Sequence, residues 1–205
     1  MYPMLGTRPN LGYTIMALSC HTTNPSPDHQ RALEHIFRYL QATSDQQLIF
    51  RWGTLGGSTL FGYADVDWAS NINDCKSTSG YMFKLAGAAV SWSSKKQTTV
   101  ALSSMEAEYI SRAHTTKEAV WLRQLLSELG LDTSSPTILH IDNQSAIAIA
   151  KNPEFHNRTK HIDVHYHFLR QVVEDGTVEL QYTPTGDQVT DALTKGLPPV
   201  SFNKF

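Results

Sequence analysis

The chain has 205 residues, 17 Lys and Arg against 19 Asp and Glu, a formal charge of −2, 40% hydrophobic and 18% charged residues, the balance of a soluble globular chain with room for one core plus an appendage. No apolar run approaches the ~20 residues of a membrane span, and the opening MYPMLGTRPN lacks the charged flank and apolar stretch of a signal peptide. The charge balance gives no general attraction for nucleic acid, and two distant cysteines, Cys20 and Cys75, argue against a disulfide scaffold.

Leu11, Ile15, Met16 and Leu18 suggest a first helix, ended at His21-Thr22-Thr23-Asn24-Pro25-Ser26-Pro27. Asp28 is then placed to cap a second helix, in which Ala32, Leu33, Ile36, Phe37 and Leu40 recur at threes and fours. The texture changes after Gln41. Leu48-Ile49-Phe50 is a short strand candidate, followed by turn signals at Gly53, Gly56 and Gly57. Residues 59–67, 79–85 and 88–93 read as three strands, the last two joined through Ala86-Gly87 as a hairpin.

A long helix is predicted over 104–129, with Tyr109, Ile110, Ala113, Val120, Trp121, Leu125, Leu126 and Leu129 as its apolar positions and Gly130 as its stop. Residues 137–142 form a strand, 144–151 a short helix, and Ile162, Tyr166, Leu169 and Val173 share the face of another helix. A strand over 177–183 and a helix over 187–195 close the chain. Three meander strands followed by strand–helix alternation imply an α/β fold with a mixed sheet flanked by helices. The break near 44–57 separates a helical segment, 1–45, from a sheet domain, 46–205.

Position selects among the carboxylates. Asp65 lies in the first strand, on the same face as Tyr63 and Asp67. Glu108 lies one turn into the long helix. Asp142 ends a strand where Asn143 begins the next element, the end of an open α/β sheet where ligands gather. Asp191 lies in the last helix. Four carboxylates meeting at one sheet end would raise each other's pKa unless cations joined them. Their hard oxygens suit Mg²⁺ or Mn²⁺, and two such ions could drive an in-line phosphodiester displacement. Blander roles compete. Glu106 is expected to form a capping box with Ser103. Asp142 could cap the following helix, Asp187 the last one, and Asp67 could be a rim carboxylate or a solvated turn residue.

The stretches GYADVDWAS, KSTSGYMFKLAGAAVSWSSKKQTTVALSS, EAEY, WLRQLLSELG, IDNQSAIAIAKNP, RTKHIDVHYHFLRQVV and QYTPTGDQVTDALTKGL occur in this order from Phe61 to Leu197. Together they resemble the C-terminal part of copia-type retrotransposon polyproteins, where the end of the reverse transcriptase is followed by ribonuclease H. LGTRPNLGYTIMALS and HQRALEHIFRYLQAT resemble the helical end of the polymerase. No Tyr-x-Asp-Asp polymerase signature occurs, so the chain reads as a piece of a longer polyprotein. The resemblance implies a ribonuclease H fold with a five-stranded mixed sheet. It implies an enzyme that cuts the RNA of RNA–DNA hybrids with two Mg²⁺ ions, for which Mn²⁺ can substitute. Asp65, Glu108, Asp142 and Asp191 match its four acidic positions, both catalytic and metal-binding. The implied partners are the hybrid and the reverse transcriptase portion, with no small-molecule cofactor and no membrane, in a cytoplasmic particle or the nucleus.

Some residues depart from the family pattern. Met105 stands where Thr is usual, Cys20 and Cys75 where Arg is usual, and Thr190 where Ala is preferred. The segment TPTGDQVTD lacks the mobile His of many ribonucleases H. These departures allow a weakened or inactive relic, or a module that grips nucleic acid without cutting it. An integrase-like or junction-resolving nuclease is a further reading of the same fold.

Candidate nucleic-acid contacts are Lys95 and Lys96 after Trp92, Arg158 and Lys160 beside Lys151, and Ser103 and Ser104 at the start of the long helix. A solvated basic edge and an ordinary cap are the alternatives. His156, His161, His165 and His167 crowd together, but no Glu follows His161 and no Cys is near, so zinc is not expected. Trp68, Trp92 and Trp121 are expected to pack in the core or on the sheet.

Overall fold

The computed structural model describes residues 2–51, 53, 59–70, 74–143 and 160–202, with the side chains of 160–163 outside that description. The elements run α1 (Tyr2–Gly6), α2 (Gly12–Ser19), α3 (Pro27–Ala42), β1 (Phe61–Asp67), β2 (Thr78–Leu85), β3 (Ala88–Lys96), α4 (Ser104–Glu128), β4 (Thr137–Ile141), α5 (Lys160–Glu174), β5 (Val178–Tyr182), α6 (Asp191–Thr194) and α7 (Pro199–Phe202). The predicted helix over 144–151 lies outside the described residues. Leu48-Ile49-Phe50 forms no strand.

The sheet has the order β3-β2-β1-β4-β5, antiparallel from β3 to β1 and parallel from β1 to β5. The predicted hairpin is present. Ala86 and Gly87 both take positive φ, 54° and 83°, the conformation that matches a two-residue turn to the twist of its strands. Helix α3 begins two residues earlier than expected. Ser26 is its cap and Pro27 its first residue, because Pro fixes a helical φ and lacks the N–H that would go unpaired there.

One sheet face carries Ala64, Phe83, Leu139, Ile141, Val178 and Leu180 against Ala119, Leu122 and Leu126 of α4 and Val172 of α5. The buried stripe of α4 uses Thr115, Ala119, Leu122 and Leu126, at threes and fours. That spacing leaves Trp121, Leu125 and Leu129 outside the stripe. Trp121 is 55% exposed and Trp68 49%, so neither is a core residue. Trp92 is partly buried and donates its Nε1–H to the Met4 carbonyl at 2.7 Å.

The opposite face meets the helical segment and the end of the chain. Met82, Ala89 and Leu193 form a small cluster with Leu48, Trp92 and Val189. Gly12 lets α2 approach Leu193 and Ser94, and Gly80 lets α6 lie on β2. The N-terminal helices therefore pack on the sheet through β3 and α6.

Candidate active site

The register brings the acidic residues to one sheet end. Tyr63 of β1 lies opposite His140 of β4 in a parallel pair. Two residues further along each chain, Asp65 comes level with Asp142, just past the end of β4. Asp65 also lies opposite Gly80 of β2, whose missing side chain leaves room for α6. The α4 hydroxyl of Ser111 donates to the Asp65 carbonyl at 2.9 Å, holding α4 over β1 one turn after Glu108. The chain end is tied down by buried Gln188, whose Nε2 donates to the Ala64 carbonyl at 3.0 Å. Thr194 donates its hydroxyl proton to the Asp65 carboxyl, and Thr185 donates to Asp142 Oδ2 at 3.4 Å.

The acids feel one another. Burial pushes the Asp65 carboxyl above its ordinary range, opposed by the Thr194 hydrogen bond and reinforced by Asp191. Burial likewise raises Glu108, opposed by Arg112 and Asn143 and reinforced by Asp142 and Asp65. Asp142 is raised by burial and then by Asp65. Asp67 is raised mainly by burial, though Lys195 draws it down.

Two of the four are held by cations of this chain. Arg112, 2% exposed, pairs with Glu108 one turn along α4, while Asn143 donates to the other Glu108 oxygen at 3.4 Å. Lys195 Nζ lies 2.9 Å from Asp191 Oδ1. Among the described residues no group of three or more His, Cys, Asp or Glu side chains is arranged to hold a metal ion. The expected four carboxylates thus lie at one sheet end, two of them facing basic partners. Their donor chemistry still fits Mg²⁺ or Mn²⁺: all four side chains offer hard anionic oxygens.

Sequence reasoning missed Ser111, Arg112, Gln188, Thr194 and Lys195. The two cations carried a signal, since Glu108 to Arg112 and Asp191 to Lys195 are both i, i+4 pairs. The other three act across long sequence distances and left none.

The proposed nucleic-acid residues divide. Lys95 is exposed and Lys96 pairs with Asp74 at 2.8 Å. Both end β3 on the rungs of Ser79 and Thr78, at the same sheet end as Asp65 and Asp67. Ser103 and Ser104 are exposed at the start of α4. Ser103 accepts from the Glu106 N–H at 3.1 Å. Glu106 accepts from Leu102 N at 2.8 Å, one residue before the position a capping box uses. Arg158, Lys151, His156 and the side chains of Lys160 and His161 lie outside the described residues. Asp187 ends a short 3-10 turn and caps nothing; Thr190 precedes α6.

A five-stranded mixed sheet of order β3-β2-β1-β4-β5 with helices over it defines a ribonuclease H-fold domain. Among solved structures, LC11 ribonuclease H1 isolated from compost matches with a TM-score of 0.51 at 11% identity, over 72% of this chain and 97% of that one. The chain belongs to the retrovirus-related Pol polyproteins of copia-type transposons. It is 42% identical to that of transposon RE2 of Arabidopsis thaliana over 199 residues and 42% identical to that of transposon TNT 1-94 of Nicotiana tabacum over 207. These cover 97% and 100% of this chain but 14% and 15% of the relatives, so the chain spans about one seventh of their length. No protein-family model matches the chain. Among the described residues no helix is long and apolar enough to cross a membrane.

Proposed function

We propose that residues 46–205 are a ribonuclease H that hydrolyses the RNA strand of RNA–DNA hybrids during retrotransposon reverse transcription, and that residues 1–45 are the end of the polymerase. The observation that carries this reading is the gathering of Asp65, Glu108, Asp142 and Asp191 from four elements onto one sheet end, with mutual electrostatic influence. These four would hold Mg²⁺, or Mn²⁺ in its place. When bound, such ions polarise water and the phosphodiester and neutralise developing negative charge. Water would add to phosphorus and give up a proton, one P–O ester bond would break, and the departing oxygen would take up a proton in balance and leave as a hydroxyl.

The chain's own residues supply position. Ser111, Gln188 and Thr194 fix Asp65 and the elements beside it. Lys95, Lys96 and the exposed start of α4 at Ser103 and Ser104 face the same end and would meet hybrid phosphates and sugars; Arg158 and Lys160 are proposed to extend this contact. The partner would be the hybrid, delivered by the polymerase portion, inside a cytoplasmic particle or the nucleus.

The test is cleavage of a labelled RNA–DNA hybrid by the full chain with Mg²⁺. Product from wild type and none from Asp142→Asn is expected; equal product from both overturns the reading. Duplex and branched DNA, run in parallel, would expose an integrase-like or junction-resolving enzyme. A second reading, hybrid gripped but not cut, is favoured by the pairing of Glu108 with Arg112 and of Asp191 with Lys195. It predicts binding without product.

A further inference from the structure

Arg112 is among the largest fully buried side chains of the described residues. Its guanidinium pairs with Glu108, but among the described residues its Nε and Nη1 are buried without hydrogen-bond partners. Burying a charge with only part of its hydrogen-bonding capacity used is costly, so stability alone does not account for it. What surrounds it does. Burial works against the Arg112 charge, and Glu108, Tyr109, Asp142 and Asp65 work for it, Glu108 most and three of them acids of the sheet end. Lys195 differs: it pairs with Asp191 from the rim, with 39% of its side chain exposed, and can swing into water. The Arg112 side chain is 2% exposed and has no such exit.

We propose that Arg112 is a positioning residue that acts as the resident counter-cation of the acid cluster. It holds Glu108 and offsets cluster repulsion when no divalent ion is present, and must release Glu108 before such an ion can take it. The inference rests on the reading of the cluster as a metal site. It implies that this domain folds without divalent ions and binds them weakly, because an ion that takes Glu108 competes with a guanidinium that stays buried beside it.

The test is Mn²⁺ binding to the full chain by titration calorimetry, for wild type, Arg112→Leu, Arg112→Gln and Arg112→Lys. The neutral variants are expected to bind Mn²⁺ roughly 10-fold more tightly than wild type, within the range typical of coupling between sites. Their melting temperatures should rise with Mn²⁺ more than that of wild type. Arg112→Lys, which keeps the charge, should return affinity towards wild type. A merely structural arginine predicts lower stability with no gain in affinity, and unchanged or weaker Mn²⁺ binding by the folded neutral variants overturns the proposal.

Should the neutral variants fail to fold, nitrogen NMR of the wild-type guanidinium during Mg²⁺ titration decides. Movement of the Arg112 signal supports the proposal, and a static signal at the highest Mg²⁺ the sample tolerates overturns it. Failures are distinguishable through the cleavage assay. Wild type that cuts hybrid while the neutral variants gain no affinity refutes only the counter-cation. Tightened Mn²⁺ binding in the neutral variants of a protein that never cuts refutes only the nuclease reading.

Discussion

Thr194 and Asp65, 129 residues apart in the chain, share a buried hydrogen bond that fastens α6 to β1. Thr194→Val keeps the shape and removes the donor, leaving a buried carboxyl without that partner. A loss of about 1–3 kcal/mol is expected in denaturant unfolding, with Thr194→Ser retaining most of the stability. If the valine variant unfolds like wild type, this bond contributes nothing to closing the site.

Without metal, the stability contributed by the site acids should fall as pH rises. Asp65, Glu108 and Asp142 all bind their protons more tightly folded than their ordinary values of 3.8, 4.5 and 3.8. At these three groups the native state therefore holds more protons than the unfolded chain. The stability these groups contribute is full below the ordinary carboxylate range and is lost as pH climbs through their raised folded values. Urea unfolding from about pH 4 to about pH 8 should show the decline. Asp142→Asn should flatten it. A wild-type profile that climbs across this window would count against the arrangement.

Gly62 is required by packing. A Cβ there would lie 2.6 Å from Phe83 Cε1 and 2.8 Å from Leu139 Cδ2, both on buried side chains. Gly62→Ala should cost about 1–3 kcal/mol by overfilling the core beneath β1. Gly186→Ala, where a Cβ meets nothing within 4 Å, is the control and should melt close to wild type.

The two hairpin lysines should not contribute equally to hybrid binding. Lys96 is already engaged by Asp74, whose carboxyl is held below its usual range chiefly by that hydrogen bond. Lys95 is exposed. Lys95→Ala should weaken hybrid binding and lower the salt slope by about one, while Lys96→Ala should change it less. Affinity measured across a salt series tests this, and a larger effect at Lys96 would contradict it.

The sequence by itself determined the elements whose signals are local. The Ala86-Gly87 turn, the start of α4 at Ser103 and the strand beginning at Thr137 follow from turn chemistry, capping and apolar runs read within a few residues. The four acids were legible because each sits at a distinctive place in its own element. Only the tertiary structure decided what those acids face. Trp121 turned outward because the inner stripe of α4 runs through Thr115, Ala119, Leu122 and Leu126, and position 121 falls outside it. The ties of Ser111, Gln188 and Thr194 to β1 cross 46, 124 and 129 residues, distances over which local pattern carries no information. The pairing of Glu108 with Arg112 could be guessed from its spacing. That the guanidinium is buried beside Glu108 with two of its nitrogens unpartnered could not, since burial is a property of the assembled sheet and helices.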